Sequence, residues 1–427
     1  MRNRLAATFL IILITPLFFI ASGQKLVNSP YARFNLGILE PSGSFRSQGM
    51  GGIGTAIRDN STLYYSNPAS YSSIDTNSFI FDFGIDYGIN VLSDGSLRHT
   101  SDDMNFDHML MGLPIAKGFG VGFGITTYAN GYYSISETIE EGDTGYDPIA
   151  GRYVETHSGQ GGITKFFVGS GIRLFKYFSA GVNMNLLFGS LRRINQFDFI
   201  DYYNSFNNNS SEKLGINGLN LDYGLQIELP FRNKYFLNAG TSMSSGKKYK
   251  SNFETISYRY NYYGYNDTIN WSENSSKVFI PGTINMGLAF GKKDKYTLAF
   301  DYIITNWSES TLQGSQDYLA DTRSMRFGFE YIPDKFSNFG FLRRLEYRLG
   351  AHMDDNYLVI NGVQVKEAGV SAGLGIPMRR TLSKANIFAD YTRRSGESAS
   401  MHIENYITIG VSLNLYDPFW FIKRKYD

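Results

Sequence analysis

The sequence predicts an all-β protein, a fourteen-stranded antiparallel transmembrane β-barrel preceded by an export leader. Three observations carry this. The first residues form a secretory signal, apolar residues then recur at every second position along segment after segment, and aromatics make up 16% of the chain. A period of two belongs to strands, and a membrane barrel uses aromatic residues for two interfacial girdles.

The leader comes first. Arg2 and Arg4 supply a positive start, Leu5 to Ile20 is a mostly apolar run, and Ala21-Ser22-Gly23 ends it with small residues. This is the pattern of a cleaved signal peptide spanning residues 1–23, with Gln24 as the mature N-terminus. Pro16 and the small-residue exit argue against a retained anchor. Lipid attachment is excluded because the chain has no cysteine, and the same absence removes disulfides, thiolate metal sites and cysteine nucleophiles. Of 40 Lys+Arg, two lie in the leader, leaving 38 against 39 Asp+Glu. A mature chain so nearly neutral has no field to draw nucleic acid. Beyond the leader no run of eighteen apolar residues supplies a membrane helix.

Residues 76–416 carry the strand period. In Asn77–Val91 one face is Phe79, Phe81, Phe83, Ile85, Tyr87, Ile89 and Val91, and the other is Asp82, Gly84, Asp86, Gly88 and Asn90. Leu219, Leu221, Tyr223, Leu225, Ile227 and Leu229 alternate with polar or small residues, as do Ile407, Ile409, Val411, Leu413 and Leu415. A polar face rich in Gly, Asn and Asp suits a wet lumen. Fourteen such segments can be marked, from about 76–92 to 400–415, and an even number is what a single-chain barrel requires. Short turns, most of them with Lys or Arg, fall at 114–117, 175–177, 230–234, 291–294 and 377–382. Longer polar loops fall at about 137–160, 200–213, 257–275 and 354–364. Short periplasmic turns and long outer loops are the expected asymmetry, so the first strand runs outward and residues 24–75 start on the periplasmic side. The Tyr-rich loop 257–275 reads either as a partner surface or as a solvated loop near the girdle.

Residues 24–75 lack the strand period. Gly49, Gly51 and Gly54 satisfy G-x-G-x-x-G with Asp75 about twenty residues on, but a dinucleotide site needs a buried strand before the glycines and a βαβ unit around them. The glycines instead read as points where backbone approaches backbone, and Asn67-Pro68 as a turn into the first strand.

Three stretches resemble the FadL-type long-chain fatty-acid transporter family. They are Gly49-Met50-Gly51-Gly52 with Tyr64-Tyr65-Ser66-Asn67-Pro68-Ala69, then Ile280–Phe290 with Tyr296–Ser308, then Arg326–Tyr331 with Tyr347–Ala351. The resemblance implies that residues 24–75 are a hatch plugging the lumen, with Gly49, Gly51, Gly52, Asn67, Pro68 and Ala69 as its markers. It also implies passive uptake of a hydrophobic solute such as a fatty acid. The solute enters an apolar pocket and leaves sideways through the wall, where the third strand kinks inward. Ala129, Asn130 and Gly131 break the alternation there. Asp82, Asp86 and Arg348 face the lumen by alternation and mark a candidate solute path. Arg192 and Arg193 are adjacent, so only one can face inward.

The chain departs from that family after its last strand. Residues 417–427 form a tail, with Phe419, Trp420, Phe421, Lys423, Arg424 and Lys425 as a candidate anchor or docking segment. This tail and the Asn361–Pro377 block resemble a branch of FadL-like barrels, some of whose members serve as accessory subunits of outer-membrane protein assembly (BAM) or secretion machines. That is the alternative function. Either way the expected partners are outer-membrane lipids, with a hydrophobic solute or with other outer-membrane proteins, and the expected location is the outer membrane of a Gram-negative cell. His99, His108, His157, His352 and His402 are dispersed, and no G-x-S-x-G elbow or His-pair motif appears. No enzymatic activity, metal or cofactor is expected.

Overall fold

The computed structural model describes residues 29–94, 97–143, 145–202, 205–312, 319–337, 340–378, 381–396 and 403–421. The signal peptide and the tail residues Lys423, Arg424 and Lys425 lie outside these. A two-residue strand, β1 (Ile38–Leu39), lies inside the barrel. The wall is then β2 (Phe79–Asp94), β3 (Leu97–Ala116), β4 (Phe119–Asn130) continued by β5 (Tyr133–Ile139), β6 (Tyr153–Arg173), β7 (Phe178–Phe199) and β8 (Asn207–Pro230). It continues with β9 (Tyr235–Ser244) and β10 (Lys247–Tyr260), β11 (Asn266–Ile280) and β12 (Thr283–Lys292), β13 (Tyr296–Thr305), β14 (Thr322–Tyr331), β15 (Glu346–Ile360), β16 (Val363–Pro377), β17 (Lys384–Ser395) and β18 (Ile403–Asp417). Each two-part strand is one span with a break, so the wall has fourteen antiparallel spans. β18 pairs with β2 from Ile403↔Ser93 to Asp417↔Phe79 and closes the barrel. Closure pairs the first and last spans along their length and meets, at that junction, the condition hydrocarbon imposes on backbone amides.

The alternation sets which side chains meet lipid. Leu219, Leu221, Tyr223, Leu225, Ile227 and Leu229 are all exposed on the outside, as are Ile407, Ile409, Val411 and Leu413. On the opposite face Asp82, Asn183, Gln226, Asn238, Asp301, Glu330 and Arg348 are buried toward the interior.

The loop lengths depart from expectation. Most of 200–213, 257–275 and 354–364 is strand: β8 begins at Asn207, β10 and β11 stay paired to Tyr260↔Asn266, and β15 and β16 meet at a two-residue turn. In that turn Asn361 and Gly362 both have positive φ, 52° and 78°, as a tight hairpin turn demands. The apolar period stops where a strand leaves hydrocarbon, but the hydrogen-bond ladder needs only a neighbouring strand and continues. At the other end, the connection between β14 and β15 is long and holds a short helix, α2 (Phe341–Arg344), following α1 (Phe45–Gln48) inside the barrel.

The outward face yields a direct prediction. Leu225→Arg, at the middle of the apolar stretch of β8, lowers unfolding stability in lipid vesicles by about 2–4 kcal/mol. Lys213→Arg, on the same strand but beyond the apolar band, leaves a urea titration unchanged.

Candidate functional site

The candidate site is the barrel interior, which residues 29–78 occupy from end to end. By Ser29 the chain is already near the loop end, where its hydroxyl donates to Glu404 at 2.6 Å, close to the start of β18. The sequence reading starts this segment at the opposite end. Descending from there, Tyr31 and Leu36 enter an apolar cluster with Ile163, Leu187, Leu191, Tyr249, Ile280 and Trp307. The Trp307 and Tyr357 rings lie 4.8 Å apart, and Tyr357 donates to the Gly37 carbonyl at 2.5 Å. Of the two adjacent arginines, Arg193 reaches inward to the Asn35 carbonyl, while Arg192 is exposed.

β1 is stitched to the third span at its interruption. Ile38 pairs with Asn130 and Leu39 with Ala129, the Glu40 amide donates to the Tyr128 carbonyl at 3.0 Å, and the Asn130 amide donates to Glu40 at 2.9 Å. The span ends its first part at Asn130 and resumes at Tyr133. Gly37, at φ 78°, abuts the Asn130 carbonyl too closely for any side chain. Burial pushes the Glu40 carboxyl up to about 7, against the lowering bond from Asn130.

Lower down, the glycine patch seats on glycines of the wall. Gly49 faces Gly373, the Met50 carbonyl faces Gly328, and Gly51 faces Gly350. A Cβ on Gly51, at φ 73°, would stand 2.7 Å from the Phe327 carbonyl. The motif is thus a backbone-on-wall contact. Asn67 is fully buried and caps the 3₁₀ turn Pro68–Ser73 by accepting from the Ala69 amide at 3.1 Å. Its amide also donates to the carbonyls of Thr55 at 2.8 Å, Leu225 at 3.2 Å and Thr241 at 3.2 Å. Pro68 suits the first position of the turn, and Ala69 lies against Gly224, where a larger wall residue would collide.

A buried chain of charges joins this segment to the wall. Arg46 of α1 pairs with Asp59 at 2.8 Å and with Glu330 at 2.9 and 3.2 Å, and donates to Thr62 at 3.1 Å. Arg348 contacts the same Glu330 at 2.7 Å, bonds to Glu346 and donates to Asn386 at 2.9 Å. Lys384 completes the row on Glu346 at 2.5 Å. Three cations alternate with three carboxylates, so the buried charge sums to zero. Burial disfavours the charged Arg46, yet Asp59 and Glu330 hold its pKa well above the ordinary value. Burial likewise raises the Asp59 pKa, but Arg46 and Lys384 overcome this and hold it well below the usual carboxylate range. A second anchor is Asp301, which accepts the amides of Gly54 at 2.8 Å and Thr55 at 2.9 Å.

What remains open is a cavity of about 390 Å³ between the apolar cluster and α1. Its lining mixes Tyr65, Tyr128 and Trp307 with Glu40, Asp86, Asp107, Asp222, Glu367 and Glu404, against Lys165, Arg326 and Arg394. Of the residues marked as a solute path, only Asp86 lines it. Asp82 is buried against His108 at 3.4 Å and Asn414 at 3.4 Å, and Arg348 is spent in the charge chain. Phe419, Trp420 and Phe421 are exposed below the wall, with Trp420 stacked on Phe79 at 5.0 Å. Arg46, Asp59, Glu330, Glu346 and Lys384 went unmarked in the sequence, where charge on the inward face was a signal only for the wall residues Glu330, Glu346 and Lys384.

The fold has known counterparts. A Pseudomonas aeruginosa FadL homologue aligns over 89% of this chain and 99% of its own, with TM-score 0.57 and 12% identity. The Pseudomonas putida toluene transporter TodX aligns over the same shares with the same TM-score and identity. The Ralstonia pickettii toluene transporter TbuX covers 88% and 99%, at TM-score 0.56 and 13% identity. No curated protein sequence matches. A family model described as BamG matches residues 5–427.

The charge chain predicts a stability response. Arg46→Ala leaves the buried Glu330 and the half-buried Asp59 short of a cation and lowers stability by about 3–5 kcal/mol, read as the temperature of the gel-mobility shift between folded and unfolded barrel. Because the Asp59 pKa is depressed, its contribution is present above the ordinary value of 3.8 and is lost as pH falls below it. Native stability therefore declines below about pH 4, and Asp59→Asn removes part of that decline.

Proposed function

The chain belongs to the BamG family, and we propose that it is an accessory subunit of an outer-membrane barrel-assembly machine, exported with a cleaved signal and held by outer-membrane lipids. The observation that supports this most is the occupancy of its interior. The loop-end mouth is packed with the chain's own Tyr31, Leu36 and Trp307, and the charge chain ties residues 46–59 to three spans. An apolar solute gains by leaving water for an apolar pocket, yet the remaining cavity carries more carboxylates than cations. A fatty-acid anion would meet like charge there. A barrel so filled offers its outer surface and rims as the working parts, and binding to other outer-membrane proteins is the function such surfaces serve.

One observation favours a second reading, uptake of a hydrophobic molecule with lateral exit. β3 and the third span pair only from His108↔Thr126 to Ala116↔Phe119, so the wall parts above that point. Phe106, Thr127, Tyr128 and Asn130 line both this seam and the cavity. For uptake, β1 would have to leave Ala129 and Asn130, giving up the bonds that now hold it.

Purification of the tagged protein in mild detergent, followed by mass spectrometry, separates the two. Stoichiometric recovery with a barrel-assembly core is the expected result. A monomer that retains lipid or apolar solute inside the barrel, with no such core, would overturn the subunit reading in favour of uptake.

A further inference from the structure

Above the apolar band the wall is uneven. β13 ends at Thr305 while β11, its neighbour in the barrel, begins far higher at Asn266. β10 pairs with β11 along one side from Lys247↔Ile280 to Tyr260↔Asn266. On the other side, Ser310 and Thr311 bond to Phe279, and among the described residues no strand pairs with β11 beyond that point. Among the described residues, the β11 edge from about 267 to 278 is therefore unpaired. It stands outside hydrocarbon, because a row of charges crosses four strands at its level: Arg192, Lys213, Glu254 and Glu273. An unpaired edge is tolerated there and not in lipid.

The charges on this edge are mismatched on their covered side. Glu273 lies directly opposite Glu254, and Lys277 directly opposite Lys250. Like charges so placed destabilise a sheet. Neither Glu273 nor Lys277 has an ion-pair partner among the described residues, and both are exposed, as are Trp271 and Ser275 on the same face.

We propose that β11 accepts an extended segment of another polypeptide as an added antiparallel strand on the loop side of the barrel. Antiparallel addition continues the sheet's own pattern and gives the more stable ladder. The incoming segment then carries a carboxylate opposite Lys277 and, four residues later, a basic residue opposite Glu273. An aromatic or aliphatic residue two positions further meets Trp271. β11 itself has this order of charge, but a second copy is not the occupant. Two copies in one membrane share an orientation, and antiparallel pairing of the same strand needs one of them inverted. The subunit reading bears only on which polypeptide supplies the segment.

The test uses the purified full chain in detergent and a fluorescent peptide with the sequence of residues 270–280, whose acid precedes its base by four. Saturable binding to the native protein is expected, read by fluorescence anisotropy. E273K/K277E weakens it about tenfold, and a peptide with its two charges exchanged then prefers the variant over the native chain by a similar factor. Retained heat-dependent gel mobility shows that the variant is folded. Absence of saturable binding, or equal affinity of both peptides for both proteins, would overturn the proposal. So would dimerisation of the solubilised protein through this edge, which assigns β11 to a second copy. If peptide binding fails while the assembly core still co-purifies, the edge is excluded and the subunit reading stands.

Discussion

Three arginine or lysine side chains and three carboxylates, arranged Asp59–Arg46–Glu330–Arg348–Glu346–Lys384, hold the interior of this barrel together. No pair in the row would be favourable alone. Each buried charge gives up several kcal/mol of hydration, which one Coulomb partner only partly offsets. Alternation along the row gives every inner member two opposite neighbours, and Thr62 and Asn386 take up remaining hydrogen-bonding capacity. The arrangement exists only when the N-terminal segment is seated, because two of its six members come from that segment. Barrel and plug are thus one cooperative unit at this level, and the glycine contacts of Gly49 and Gly51 on Gly373 and Gly350 set how closely the two surfaces approach.

Much of the wall was legible in the sequence, because hydrocarbon imposes a strict rule on every second residue. Leu219 to Leu229 and Ile407 to Leu413 point outward as their period indicates, and the number of spans follows from counting such stretches. The same rule fails where strands rise above the membrane. At 200–213 and 257–275 the ladder persists without an apolar face to mark it, so long strands read as loops.

The interior was less legible for a different reason. Alternation says that Arg348 and Asp82 face inward, but not what they meet there. Glu330 and Arg46 lie 284 residues apart in sequence, and only closure of the barrel brings them together. Asp82 and Arg348 consequently looked like lumen-lining groups and are packed against other side chains instead. Asn67-Pro68-Ala69 was recognisable as a motif, but its bonds to the Leu225 and Thr241 carbonyls belong to the tertiary structure. Ala129 and Asn130 stood out by broken alternation, and the structure places them at the end of β4 against β1.

These features describe a barrel whose lumen is given to its own chain at three levels: apolar packing at the mouth, backbone contact at mid-height and charge pairing below. Reconstitution into a planar lipid bilayer examines that description most directly. A plug held at all three levels predicts insertion without discrete conductance steps at neutral pH and moderate voltage. Stable ohmic steps of the size an open, water-filled barrel gives would contradict it.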